Sequence, residues 1–181
     1  MKFDFKKLEK EIEEATRKAF QEIVANHASE KIYAFALYSD EGAMTVCPST
    51  NTEDFLATND QEDLTYYKFE PAEWQYEGDG AEDEFSKIST QLYDITEVEL
   101  ENEDDEVFEA FQQELYQTCI QVLLKLKKEN FFRNLIGKDI FLMFSVTDYE
   151  YDRDKLKEMI ISLNDNVYQQ EYLDWMKTWR N

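Results

Sequence analysis

Basic residues are scarce in this chain: 19 Lys and Arg stand against 41 Asp and Glu, a formal net charge of −22 over 181 residues. A field of that sign repels phosphate backbones and anionic headgroups, so neither direct nucleic-acid binding nor membrane-surface binding is expected. Glycine occurs four times, at 42, 78, 80 and 137, and neither GxGxxG nor a Walker loop can be written with that spacing. Cys47 and Cys119 form neither a disulfide framework nor a CxxC pair, which suits a reducing cytoplasm. No run approaches the roughly 18 apolar residues of a membrane span, and Met1 to Glu14 is a charged amphipathic pattern in which no secretory signal is expected. With one histidine, His27, no Ser-His-Asp arrangement can be assembled.

What remains is rich in core-forming residues. Hydrophobic residues make up 43% and aromatics 15% of the chain, which separates it from disordered acidic sequences. The length predicts a single domain over residues 1–181, whose α+β class follows from the order of its predicted elements. Apolar positions from Phe5 to Val24 recur at three and four, predicting a helix from Asp4 to about His27, whose imidazole would satisfy the last carbonyls. Ile32 to Tyr38 and Ala43 to Cys47 predict a hairpin with Gly42 supplying the turn. Pro48 is expected to end its second strand, and Thr52 to cap a short helix. A third strand is predicted from Leu64 to Phe69, and a loop or irregular strand from Glu70 to Gly80.

Phe85, Ile88, Leu92 and Ile95 predict one helix, and Val107 through Leu126 a longer one ending in Lys125, Lys127 and Lys128. Asp139 to Val146 predicts a central strand covered on both faces, and residues 152–179 two short helices broken near Asn164 to Asn166. The expected fold class is therefore α+β, a small, mostly antiparallel sheet of about four strands with helices packed on it.

Asp148, Glu150, Asp152 and Asp154 start like a calcium loop, but Arg153 stands where the turn requires Gly and Met159 where a bidentate Glu is needed. No metal and no cofactor are expected. Seven of the ten residues from Glu97 to Glu106 are acidic: Glu97, Glu99, Glu101, Glu103, Asp104, Asp105 and Glu106. They form a candidate surface for a basic partner, or a solvated loop that only keeps the protein soluble. Trp74 and Tyr76 are the companion candidates for partner binding, with Trp175 and Trp179 behind them, since amphipathic rings anchor interfaces; packing on the sheet is the competing reading. Asp40, Glu73, Asp148 and Glu150 are the carboxylates that a carboxylate-dependent enzyme would draw on.

The string Tyr33-Ala-Phe-Ala-Leu-Tyr-Ser-Asp40, then Thr45-Val-Cys-Pro48 and Asn51-Thr-Glu53, resembles the start of a bacterial domain-of-unknown-function family of the 4303 type. Pro71 to Gly78 is similar to that family's Trp-containing segment, and Phe141 to Asp148 with Leu163-Asn164 to its late strand and tail, although Asp165 stands where Pro would follow. The resemblance implies an α+β fold and bacterial origin and brings no activity. It also implies likeness to the immunity proteins encoded beside toxins, so the expected partner is a basic protein such as a toxin. A carboxylate-dependent enzyme and a housekeeping domain are the alternatives.

Overall fold

The computed structural model describes residues 3–59, 62–100, 104–147 and 152–179. Helix α1 (Phe5–Asn26) forms where the apolar stripe predicts it, with Asp4 accepting from Lys7 N at 3.0 Å as its cap. Leu8, Ile12, Ala15, Ala19, Phe20 and Ile23 make its buried face. The chain continues through strand β1 (Ile32–Asp40) and strand β2 (Val46–Thr52) to two short helices, α2 (Glu53–Leu56) and α3 (Leu64–Phe69). A 3₁₀ turn at Pro71–Glu73 precedes the two-residue strand β3 (Tyr76–Glu77). Helix α4 (Glu82–Asp94) runs into a π-helical turn (Ile95–Glu99), and then come α5 (Asp105–Lys128) and α6 (Phe131–Ile136). Strand β4 (Phe141–Thr147) and helices α7 (Arg153–Leu163) and α8 (Val167–Met176) complete the order.

The sheet runs β3-β2-β1-β4, with β1 antiparallel to β2, β2 antiparallel to β3, and β1 parallel to β4. The fold is thus α+β with a mixed four-stranded sheet and helices packed on it. Alternation along the pleat assigns the two faces. Phe35 packs against Phe20 of α1 and Phe132 of α6. Phe141, in register with Ala34, points the other way and meets Phe69 of α3 and Tyr172 of α8. The buried apolar residues, from Leu8 to Met176, form one cluster.

Four expectations are corrected. Leu64–Phe69 is a helix, because a short stretch of Thr and aromatics satisfies either period and the docking of Phe69 against Phe141, Tyr172 and Trp175 decides it. Pro48 does not end β2. Its carbonyl accepts from Gly78 N at 2.9 Å, so its missing N–H faces the short β3 rim, and its pairing with Leu37 costs no ladder bond. The left-handed residue of the hairpin loop is Ala43 (φ 54°), not Gly42, and the Asp40 carboxylate holds that loop by accepting from Thr45 Oγ1 at 2.5 Å and Met44 N at 3.2 Å. Finally, β4 is an edge strand and β1 lies inside. Its continuous burial comes from α5 and α7 packed against it, and its outer rim is closed by the Asn164 side chain.

Candidate functional site

The acidic stretch forms the corner between α4 and α5. Glu97 is exposed on the π turn, which Glu99 ends. Asp104 occupies the cap position of α5, and Asp105 and Glu106 lie in its first turn, all three exposed. Acids there favour the helix dipole. Glu101 and Glu103 lie outside the described residues. From residue 88 to 124 the chain has ten Asp and Glu and no Lys or Arg, whereas residues 125–181 carry ten of each sign. The negative excess is therefore confined to the first two thirds of the chain, and this stretch has no cation of its own.

Ion pairing passes over the same stretch among its described residues. Glu13 of α1 is paired with Arg17 and Lys125, and Lys18 with Glu84. Among the described residues none of Glu97, Asp104, Asp105, Glu106 or Glu109 is in an ion pair. Exposed apolar side chains interrupt the same stretch: Tyr93 is 53%, Val98 68% and Val107 42% exposed. Unpaired carboxylates interleaved with exposed apolar groups leave both charge and apolar area for a partner to cover.

The companion aromatics are placed elsewhere. Trp74 and Tyr76 are 3% and 7% exposed, so neither presents a ring to a partner, and Trp175 and Trp179 pack on Tyr172. Tyr76 is instead the centre of a polar network. Its hydroxyl donates to Glu30 Oε1 at 2.6 Å, which leaves the phenol oxygen to accept from Gln75 Nε2 at 3.0 Å and from His27 Nδ1–H at 2.7 Å. The bond from Tyr76 holds the Glu30 carboxyl below the usual carboxylate range, and burial pushes the Tyr76 phenol up. His27 caps α1 through its backbone N–H to Ile23 O, so its ring is free to join this network. Among the described residues no Ser, Thr or Cys side chain bonds to that ring, and the one hydroxyl that does, the buried Tyr76 phenol, gives its proton to Glu30 instead of to the imidazole. The sequence held no sign of it, because the partners lie 49 residues apart.

The other candidate groups are structurally committed or separate. The Asp40 carboxylate is engaged in the hairpin loop, Glu73 is exposed on the 3₁₀ turn, and Asp148 and Glu150 lie outside the described residues. Asp152 caps α7 by accepting from Asp154 N and Lys155 N. Cys119 is buried in α5, and burial pushes its thiol and that of half-buried Cys47 up. Among the described residues no cluster of His, Cys, Asp and Glu could hold a metal ion, and no helix is long and apolar enough to cross a membrane.

One concavity among the described residues begins about two turns along α5 from its acidic start. It is a groove of about 520 Å³ between α5 and α7, with Ile120, Leu124 and Met159 along its sides, Tyr116 and Phe144 below them, and Gln117 at its rim. Its size is that of a ligand or peptide site. A family model described as Domain of unknown function (DUF4303) matches residues 12–165. No curated protein and no solved structure matches the chain.

Proposed function

Since the chain belongs to the DUF4303 family, whose description states no activity, we propose from its own surface that it is a protein-binding module of the toxin-immunity type, which docks a basic partner on the α4–α5 corner. One observation carries this reading: the 37 residues from 88 to 124 hold ten carboxylates, no cation, and three of the exposed large apolar side chains. A surface kept only for solubility needs the charges but gains nothing from exposing Tyr93, Val98 and Val107 among them. Carboxylates that already had partners, as Glu13 has, would lose those bonds on binding. Among the described residues Glu97, Asp104, Asp105, Glu106 and Glu109 have no ion pair to lose, and their field steers a positive surface toward the apolar side chains that can hold it.

The experiment is a titration of the basic protein that the chain retains from its native host. The chain is immobilised at low salt, the retained protein is purified, and its affinity is measured for wild type and for the variant Glu97→Gln, Asp104→Asn, Asp105→Asn, Glu106→Gln. The reading expects a stoichiometric complex that weakens steeply with added salt and is at least tenfold weaker for the variant. Equal affinity for both proteins would remove it. Protection of cells from a toxin encoded beside this chain's gene, lost in the same variant, would establish the immunity role.

A further inference from the structure

We infer that the groove between α5 and α7 is the anchor site for an amphipathic basic segment of that partner, with its apolar side chains in the groove and its Lys or Arg side chains over the acidic start of α5. The inference rests on the proposed function and names which part of the partner docks, and how. Helical spacing makes the case. Glu106, Glu109, Gln113, Gln117, Ile120 and Leu124 follow one another at three and four along α5, so one strip of the helix runs from carboxylates through amides to apolar groups. At 1.5 Å per residue that strip is about 27 Å long, the length of a helical segment of some 18 residues.

The chemistry of the groove matches its place on the strip. Ile120 and Leu124 are half-buried, and Met159 of α7 faces them with a flexible, polarizable side chain suited to a variable apolar guest. Gln117 at the rim offers a donor and an acceptor and no charge. The groove's apolar floor, edged on the α7 side by Asp152, Lys155 and Glu158, and the unpaired carboxylates toward the start of α5 together complement a segment that is apolar at one end and cationic at the other. A nucleic acid fails this test at the acidic end, and a small apolar ligand would leave the carboxylates without a role.

The test uses the full chain and a defined probe: a labelled 18-residue helical peptide with four Lys in its first two turns and Leu at three-and-four spacing in the rest. A control peptide has the same composition with the Leu positions scrambled. Anisotropy should show the amphipathic peptide binding at least tenfold more tightly than the control. Gln117→Trp, which fills the groove from an exposed position, should abolish that preference while leaving the salt dependence intact. Gln113→Trp serves as the second blocking variant should the first perturb folding. Glu106→Gln with Glu109→Gln should weaken both peptides at low salt and preserve the preference. If the peptides bind equally, or if neither Trp variant matters, the groove is not the anchor, even if the carboxylate variant shows the acidic corner still at work. If the carboxylate variant alone has no effect on either peptide, Glu106 and Glu109 do not hold the cationic end and the inference is overturned, while the proposed function stands or falls on the partner's affinity for the four-residue variant.

Discussion

The side-chain amide of Asn164 lies against the main chain of Leu142 as a neighbouring strand would, with Nδ2 donating to Leu142 O at 2.8 Å and Oδ1 accepting from Leu142 N at 2.8 Å. Asn164 is 1% exposed, so it satisfies two buried main-chain groups on the rim of β4 where, among the described residues, no fifth strand pairs. Asn164→Ala leaves both groups unpaired, at about 1–3 kcal/mol each, so the expected loss is about 2–6 kcal/mol. Urea unfolding should show a lower midpoint with an unchanged slope. Asn164→Asp keeps the acceptor but turns a carboxylate toward Leu142 O, and should also be less stable than wild type at pH 7. A loss under about 1 kcal/mol for Asn164→Ala would mean that the rim is satisfied some other way.

That pair also shows what the sequence can and cannot carry. The stripes of α1, α4 and α5 and the run of β1 are local patterns, and each was legible because one face of one element decides it. The continuous apolar run of β4 fits a central strand and a helix-covered edge strand equally well, and here helices and one amide supply the cover. Leu64–Phe69 was ambiguous because its length allows only one and a half turns, too few for a period to show. For the site, the acidic corner was legible as composition. The lack of ion pairs among the corner's described residues, the α5–α7 groove and the His27–Tyr76 network depend on contacts between distant segments, and periodicity does not report these.

Glycine 80 should be the least replaceable glycine. Its φ is +92°, and an added Cβ would come within 2.8 Å of the Cα and carbonyl oxygen of Ala19, backbone atoms that cannot turn aside. Gly78 has φ +73° with nothing within 4 Å of the same position. Gly78→Ala should therefore cost only the left-handed strain, about 1–2 kcal/mol. Gly80→Ala should cost clearly more, as overpacking against α1 adds a further 1–3 kcal/mol or so. Thermal unfolding of the two variants side by side checks the order.

Two glutamates should give opposite pH dependence. Burial opposes the charge of Glu13, but hydrogen bonds from Lys125 and Arg17 outweigh it and hold the carboxyl below the usual range. A lowered folded pKa stabilises above the unfolded value of about 4.3 and loses that contribution as pH falls through the folded one. Glu13→Gln should thus cost about 1 kcal/mol at pH 7 and converge with wild type in acid. For Glu70, burial and the neighbouring Glu73 charge push the carboxyl up, against a hydrogen bond from Ala72 N–H. Its contribution is present below the unfolded value and lost as pH rises through the folded one. Glu70→Gln should raise the melting temperature at pH 7 and leave it unchanged below about pH 4. Melting curves of both variants across pH 3–7 would show the crossing.

Charge placement, not charge total, should decide binding. Replacing Glu97, Asp104, Asp105 and Glu106 by their amides lowers the net charge from −22 to −18, and so does replacing Glu14, Glu73, Asp79 and Asp83, which are also exposed. Neither set is ion-paired among the described residues, so both variants should melt within about 3 °C of wild type. In the first set, dipole stabilisation of about 0.3–1 kcal/mol at the start of α5 is lost while self-repulsion is relieved, and the two largely cancel. Long-range steering sees mainly the total, so the association rates should fall alike. The dissociation rate should rise only for the first set, because only there does the partner lose the carboxylates it touches. Equal dissociation rates for the two variants would make the charge a matter of solubility alone.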